Sequence, residues 1–437
     1  MDKKFEAYFE TIRFLEGLKN VPGQKDYMRD RNEPEKYLKR MRYFFELIGI
    51  LNQTQFKFIH IAGTSGKGSV TAMLHEVLRA AGRRVGSFST PFTTTSIEKI
   101  RVGDQYISPQ ELAHIVDELK PYITRAYLKS PYGGPSYFEI WFAIAVKYFL
   151  RQKCKWVVLE VGLGGKYDPG VLINGCVATV LTNVDYDHTH LLGSTLTKIG
   201  REKAGIMRRG VPFFTAEARP QLTRMFEKMG KQKGAKVMDI KALKHESIKT
   251  LQLGMDYKGK NTALVWEIAK YFKIPERAII KGIKKARLPC RFEGMRKRPL
   301  VILDGAHSVS KMRATVANVE RVKFRKLHLV LAIAADKDID GICKVIAPEA
   351  DQIYITRFDM PLRKCAHPRE LLRVVKKYAK RGTRAEVDMD CRDALSAALA
   401  AVLADDLVLV TGSFFLAGEL RKRWYSEGKI LKERKSF

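Results

Sequence analysis

Lys67 stands among Gly63, Gly66 and Gly68 in the stretch HIAGTSGKGSV (His60–Val70), after a short apolar run and before a helix-like pattern. Glycines at such a junction let backbone N–H groups converge on phosphate oxygens, and the helix N-terminus adds its dipole. Lys67 would bridge the terminal phosphates, and the hydroxyl of Ser69 or Thr64 would serve phosphate or Mg²⁺. The usual phosphate-loop pattern has Ser or Thr directly after the lysine; here Gly68 takes that place and the hydroxyl comes one residue later. An ordinary glycine-rich strand-to-helix turn is the alternative.

Three further stretches carry acids or imidazoles where an apolar run ends. In LEVGLGG, Glu160 closes a buried run, and ligands of parallel α/β sheets gather at the carboxyl ends of strands, so it is a candidate metal carboxylate. Alone, such a glutamate serves equally as an ion-pair partner or a cap. TNVDYDHTHLLGSTLTKIGREKAGI holds Asp185, Asp187, His188 and His190, then Lys203 in an amphipathic helical pattern. An Asp-His pair there binds a divalent ion or a nucleotide, or else forms a capping turn. In LDGAHS, Asp304 and His307 again follow a strand and precede a helix. Three strand-end sites beside one phosphate loop favour an ATP-Mg²⁺ enzyme.

These residues need a sheet with its strand ends aligned, and the patterning supplies one. FKFIHIAG reads as a strand and GSVTAMLHEVLRAAG as the helix after it, closed by a glycine. RVGSFST follows as a strand. SPQELAHIVDELKPYI is a helix with Ser108 at its N-cap and Glu111 three residues on, and SYFEIWFAIAVKYFL is a largely buried helix. KWVVLEVGLGG and CVATVLTNV suit parallel strands covered on both faces. From Pro299 a second alternation begins: LVILDG, LHLVLAIAA, QIYITRF, AEVDMD and DLVLVTGS as strands, with helical patterns between them. The fold class expected is α/β: an N-terminal P-loop ATPase domain with a mostly parallel sheet over residues 1–290, a hinge at 291–298, and a smaller Rossmann-like α/β domain over 299–437. The hinge lies in KGIKKARLPCRFEGMRKRP, which has turn formers, high charge and no clear period.

Composition bounds the alternatives. The 437 residues, 46% of them hydrophobic, suffice for two or three domains. Lys plus Arg number 79 against 47 Asp plus Glu, a formal charge of +32 that suits polyanions of any kind. The basic residues are spread along the chain without an RGG tract, an RNP-like motif or a zinc-knuckle spacing, so nucleic acid is not the expected partner. Six cysteines far apart, with no CxxC pair, suggest neither a zinc site nor a disulfide framework. No run approaches the roughly 18 apolar residues of a membrane span, and MDKKFEAYFE has no apolar h-region, so a cytoplasmic protein is expected.

HIAGTSGKGSV, LEVGLGGKYD, DHTHLLGSTLTKIGREKAGI, RFE, VILDGAH, ADKD and LVTGSFFLAGE occur in the order and at roughly the intervals of the folylpolyglutamate synthase / dihydrofolate synthase family of Mur-type ligases. The resemblance runs from about residue 40 to about residue 425. It implies an ATP-dependent amide ligase that phosphorylates a substrate carboxylate and lets the amino group of L-glutamate attack the acyl phosphate, releasing ADP and phosphate. The acceptor would be dihydropteroate, a folate or both, the metal Mg²⁺ as two ions, and the enzyme a monomer.

Residue by residue, Gly63, Thr64, Ser65, Gly66, Lys67, Gly68 and Ser69 resemble the family's phosphate loop, with Ser65 in place of asparagine. Thr90, in STPF, falls where the family has a metal-binding serine; Glu160 and His188 resemble the other metal ligands, with Ser69 of the loop beside them. Lys203 matches a lysine that the family carbamylates, which turns a cation into an anionic ligand; unmodified it would repel Mg²⁺. With Lys67 and His188 it forms the candidate catalytic set. Arg291, Asp304 and His307 resemble residues that reach ATP from the linker and the C-terminal domain. Asp336 and Lys337 match a DKD segment. Each has a plain alternative: Thr90 a turn before Pro91, Lys203 a partner of Glu202 or Asp187, Asp336 an N-cap for the helix near Ile339.

Departures from the family pattern cluster around ligand loops. GGKYDPGVLIN replaces GGRLDATN, leaving Asp168 and putting Lys166 where an arginine's bidentate fork is expected. Ser308 and Val309 replace Asn and Pro. Altered acceptor preference follows, so a Mur-like amide ligase with a different acid or amino acid is the second reading. A nucleotide-regulated nucleic-acid-binding protein is a remote third.

Overall fold

A computed structural model describes residues 3–18, 34–51, 56–240, 257–359 and 364–436. The chain divides into two compact units: Met1–Phe92 with Ser96–Arg287 and Leu431–Lys435, and Thr93–Thr95 with Leu288–Ile430 and Ser436–Phe437.

The first unit is built on an eight-stranded sheet. Its strands are β1 (Lys57–Ala62), β2 (Val85–Phe88), β3 (Ile100–Val102), β4 (Gln105–Tyr106), β5 (Trp156–Glu160), β6 (Cys176–Leu181), β7 (Phe213–Thr215) and β8 (Val237–Asp239), in the order β4-β3-β2-β5-β1-β6-β7-β8. All neighbours are parallel except β2–β3 and β3–β4. β1 lies between β5 and β6, with Ile61 opposite Glu160 and Ala62 opposite Leu181. The register therefore delivers the phosphate loop, Glu160 and the turn after β6 to one edge, as parallel pairing requires. Ile59, Ile61, Val158 and Val180 bury one face against Leu74, Val77, Leu264 and Ile268, while Leu181, Phe213 and Ala62 pack against Ile199 and Phe226. Each such Val, Leu, Ile or Phe side chain contributes about 1.5–3 kcal/mol when fully buried.

The helix ends are set by side chains. The helix Pro109–Lys129 opens on a capping box: Ser108 Oγ accepts from Glu111 N at 3.1 Å, and Glu111 Oε2 accepts from Ser108 N at 3.4 Å. It runs through Pro121 to Lys129, beyond the Ile123 at which the sequence pattern ends. The helix Tyr137–Arg151 repeats the device with Ser136 and Glu139, and Arg40 donates from Nε and Nη2 to the two oxygens of the Glu139 carboxylate, each at 2.9 Å.

The second unit holds β9 (Glu293–Lys297), β10 (Leu300–Leu303), β11 (Leu327–Leu331), β12 (Gln352–Ile355), β13 (Arg384–Val387) and β14 (Leu407–Thr411), in the order β13-β12-β11-β14-β10-β9. Only β9, paired with β10, is antiparallel. The stretch expected to be a hinge thus contains a sheet strand at 293–297, and KGIKK belongs to the helix Glu276–Lys285. Apolar clusters cover both faces of the sheet. Among the described residues no helix is long and apolar enough to cross a membrane. All six cysteines are free thiols.

Candidate active site

The phosphate loop leaves β1 at Gly63 and enters the helix Lys67–Ala80 at Gly66, whose φ of 84° is the left-handed conformation that glycine adopts without strain. No side chain caps this helix, so its first N–H groups remain for an anion. Neither glycine is replaceable: a Cβ on Gly63 would sit 1.9 Å from Thr182 Oγ1, and one on Gly66 would sit 2.6 Å from Asn261 Oδ1.

The turn after β6 grips the loop from the side. Thr182 Oγ1 donates to Ser65 O at 2.6 Å, Ser65 N donates to Asn183 Oδ1 at 2.8 Å, and Thr64 Oγ1 exchanges bonds with Asp185 O at 3.1 Å and Asp185 N at 3.0 Å. Thr182, Asn183 and Asn261 escaped the sequence reading. Their signal was weak: TNVD follows a strand, and Asn261 lies within the helix Tyr257–Tyr271 far along the chain.

Two ammonium groups meet at one carbonyl. Lys67 Nζ donates to Gly63 O at 3.0 Å and Lys203 Nζ donates to the same oxygen at 3.1 Å, Lys203 being buried. Both line a cavity of about 30 Å³ with Gly63, Gly162, Asp187 and His188. His188, at φ 49°, lies 3.7 Å from Asp187 Oδ1 through Nε2. Glu160 is buried and its Oε2 accepts from Thr90 N at 3.3 Å; Val161, its chain neighbour, lines the same cavity. The first unit thus brings Lys67, Ser69, Thr90, Glu160, His188 and Lys203 to one sheet edge. Among the described residues no three His, Cys, Asp or Glu side chains gather to hold a metal by themselves. A divalent ion at this edge would need a hydroxyl, or Lys203 converted to an anion, to complete its donor set.

Behind the loop, His60 Nε2 faces Asp168 Oδ1 at 3.0 Å, both buried. Asp168 also accepts from Gly170 N at 2.9 Å and Gly162 N at 3.2 Å, so this carboxylate fastens the glycine loop after β5.

The second unit gathers Arg291, Asp304 and His307 at the carboxyl end of β10. Asp304 accepts from Phe292 N at 2.8 Å, Ala306 N at 3.0 Å and Thr315 Oγ1 at 2.7 Å. Arg291 lies over the Phe414 ring, 4.6 Å from its centroid. His307 Nδ1 lies 2.7 Å from Gly305 O and its Nε2 2.9 Å from Lys311 Nζ; a neutral ring protonated at Nδ1 satisfies both. Asp338, not Asp336, caps the helix Ile339–Ile346; Asp336 instead lies 3.7 Å from the Lys337 ammonium.

Residues 290–414 match the family model described as Mur ligase, glutamate ligase domain. The chain is 30% identical over 396 residues to the dihydrofolate synthase/folylpolyglutamate synthase of Escherichia coli K12, covering 86% of this chain and 88% of that one. The chain belongs to the dihydrofolate synthase/folylpolyglutamate synthase family. Its fold is shared with Escherichia coli FolC in complex with DHPP and ADP, at TM-score 0.78 and 25% identity over 94% of this chain and 97% of that one. A bifunctional folylpolyglutamate synthase/dihydrofolate synthase with Mn, AMPPNP and L-glutamate bound gives TM-score 0.75 and 26% identity over 89% and 94%. As a family member the chain is an ATP-dependent acid–amino-acid ligase.

Proposed function

We propose that this ligase joins L-glutamate to the carboxylate of a folate or of dihydropteroate, with ATP as the phosphoryl donor. The carrying observation is the phosphate loop, an uncapped helix N-terminus with Lys67 folded over it and a carboxyl-edge cavity beside it. The acceptor carboxylate would attack the terminal phosphorus of ATP and ADP would leave. The glutamate amine would then attack the acyl carbon, lose a proton, and expel phosphate. Such transfers require in-line positioning and neutralisation of charge more than covalent help from the protein.

Lys67 would leave Gly63 O for the phosphate oxygens, and the Lys67–Ala80 helix would supply N–H donors. Ser69, Thr90, Glu160, His188 and Lys203 would hold Mg²⁺, which supplies charge neutralisation when bound. Lys203 as a carbamate suits that role: two ammonium groups on one carbonyl in a buried setting repel each other, and adding CO₂ to the neutral amine of Lys203 reverses one charge. Arg291 and His307 are the proposed nucleotide contacts of the second unit, and Asp304, its carboxylate spent on the turn, the residue that braces them. Support for the small-molecule set comes from the relatives that hold ADP with DHPP, and AMPPNP with Mn and L-glutamate.

Mass spectrometry of products formed from ATP, Mg²⁺, L-glutamate and either dihydropteroate or a reduced folate monoglutamate tests this. Glutamylated products that vanish with Lys67→Ala establish the ligase and name its acceptor. ATP binding without glutamylation of either acceptor overturns the substrate assignment in favour of another acid or amino acid.

A further inference from the structure

A second cavity lies away from the phosphate loop. It measures about 280 Å³ and is lined by Arg84, Gln105, Glu111, Tyr148, Gln152 and Arg434, among others, all in the first unit. Arg84 immediately precedes β2 and its carbonyl accepts from Lys155 N, just before β5. The cavity therefore sits at the amino-terminal edge of the parallel strands, opposite the edge that carries Gly63, Glu160 and His188.

Its polar groups form a linked but loosely closed chain. Arg84 donates from Nε to Gln152 O and from Nη2 to Gln152 Oε1 at 3.2 Å, and Gln152 Nε2 donates to Glu111 Oε1 at 2.8 Å. Arg434 spends Nε on Tyr106 O at 2.8 Å, while its Nη2 reaches Tyr148 Oη only at 3.4 Å and Glu111 Oε2 at 3.6 Å. These last two exceed the usual length of a charge-assisted bond. Neither Arg84 Nη1 nor Arg434 Nη1 has an acceptor among the described residues. Nearby charges are already matched: Lys435 with Asp104 at 2.9 Å, and Arg79 and Arg101 with Glu76. Two guanidinium groups against one carboxylate thus leave a cationic cavity with unused donors. Burial pushes the Tyr148 phenol up to about 12, so it stays neutral at ordinary pH, its hydroxyl donating weakly to Glu111 Oε2 at 3.4 Å.

We propose that this cavity is a second binding site, separate from the reaction site, that takes a small oxyanion, phosphate or carboxylate, between the unused donors of Arg84 and Arg434 with Tyr148 beside them. Guanidinium forks match both anions in geometry and charge. Arg434 belongs to Leu431–Lys435, a segment that groups with the first unit although the residues just before it do not. Occupancy would fasten that segment, so the site couples an anion in solution to the anchoring of residues 431–435.

Two sources share this chemistry, the phosphate that the ligase reaction releases and a carboxylate metabolite, so inorganic phosphate and succinate serve as separate probes. Each is titrated calorimetrically into the full-length protein with a non-hydrolysable ATP analogue present to fill the phosphate loop. Because no turnover is needed, the outcome is independent of the acceptor assignment. Saturable binding of at least one probe is expected, weakened about tenfold or more by Arg84→Ala and by Arg434→Ala, with added amide-exchange protection at residues 431–435. Arg84→Lys and Arg434→Lys, which keep the charge without the fork, should retain part of the affinity; they also give the answer if an alanine variant fails to fold. Phosphate alone binding identifies the first source and succinate alone the second. Absence of binding by both probes, or binding indifferent to both arginines, overturns the proposal.

Discussion

The carboxyl end of β1 and the carboxyl end of β10 are both strand-turn-helix junctions on parallel sheets, and they treat their polar groups oppositely. After β1, Thr182, Asn183 and Asp185 hold the loop from outside, so its N–H groups and Lys67 face a cavity. After β10, Asp304 turns inward and spends its carboxylate on two backbone N–H groups and the Thr315 hydroxyl. The first junction is held by its neighbours in order to bind something. The second holds itself, and presents Arg291 as a result. Similar local patterns therefore predict different responses to mutation, one in activity and the other in stability.

Lys67→Ala gives the largest expected effect and the sharpest form of the contrast. It removes an ammonium whose partner is the Gly63 carbonyl, so turnover should fall by about a thousandfold or more while the urea midpoint stays unchanged. A large drop in the midpoint would break the contrast, since it would make Lys67 a structural strut. Asp304→Ala is the converse. Three donors lose their acceptor, and the second unit should lose about 3 kcal/mol in denaturant unfolding. If stability holds and only ATP affinity drops, the inward carboxylate is a ligand contact and the two junctions are alike.

The helix that serves the phosphate loop also carries a buried imidazole. His75 is buried, its Nε2 lies 2.6 Å from Gly103 O, and burial, with Arg101 and Arg79 adding to it, pushes its pKa down to about 3 from an ordinary 6.5. Above pH 6.5 the ring is neutral in both folded and unfolded chains. Between 6.5 and about 3 the unfolded chain takes up a proton that the folded one refuses, so stability declines by up to about 1.4 kcal/mol per pH unit. His75→Gln, which keeps a donor without the titration, should flatten that acid slope and leave turnover at pH 7.5 within about twofold. An unchanged slope would place the acid sensitivity in carboxylates elsewhere.

How much of this was legible in the sequence depends on distance along the chain. Gly63 to Ser69 and the Ser108–Glu111 cap are local patterns, and local physics shows them directly. The parallel strands were legible because both faces are buried and their residues run apolar throughout. Residues 293–297 were not: β9 is an edge strand exposed along most of its length, so Arg296 and Lys297 gave it the look of a charged linker. Thr182 and Asn261 touch the loop from about 120 and 195 positions away, a relation no window of sequence contains. The same holds for His60 and Asp168, and for Thr93–Thr95 and Leu431–Lys435, which group with the unit that their chain neighbours do not.

The smallest expected effect is also the cleanest comparison, because the chemistry is identical on both sides. Thr64 Oγ1 bridges to the Asp185 backbone, and Thr315 Oγ1 donates to Asp304 Oδ1 at 2.7 Å with Lys311 O at 3.1 Å. Replacing either by valine keeps the shape and deletes one hydroxyl, which should cost about 1 kcal/mol of stability at each position. Activity should separate them. Thr64→Val loosens a loop whose backbone N–H groups are meant for phosphate, so KM for ATP should rise about three- to tenfold with little change in kcat. Thr315→Val removes one of three donors to a carboxylate that two backbone N–H groups still hold, so KM should move by less than about twofold. Equal shifts in KM from the two variants would mean that the Asp304 turn is as exposed to the nucleotide as the phosphate loop, and the division between a junction that binds and a junction that braces would fail.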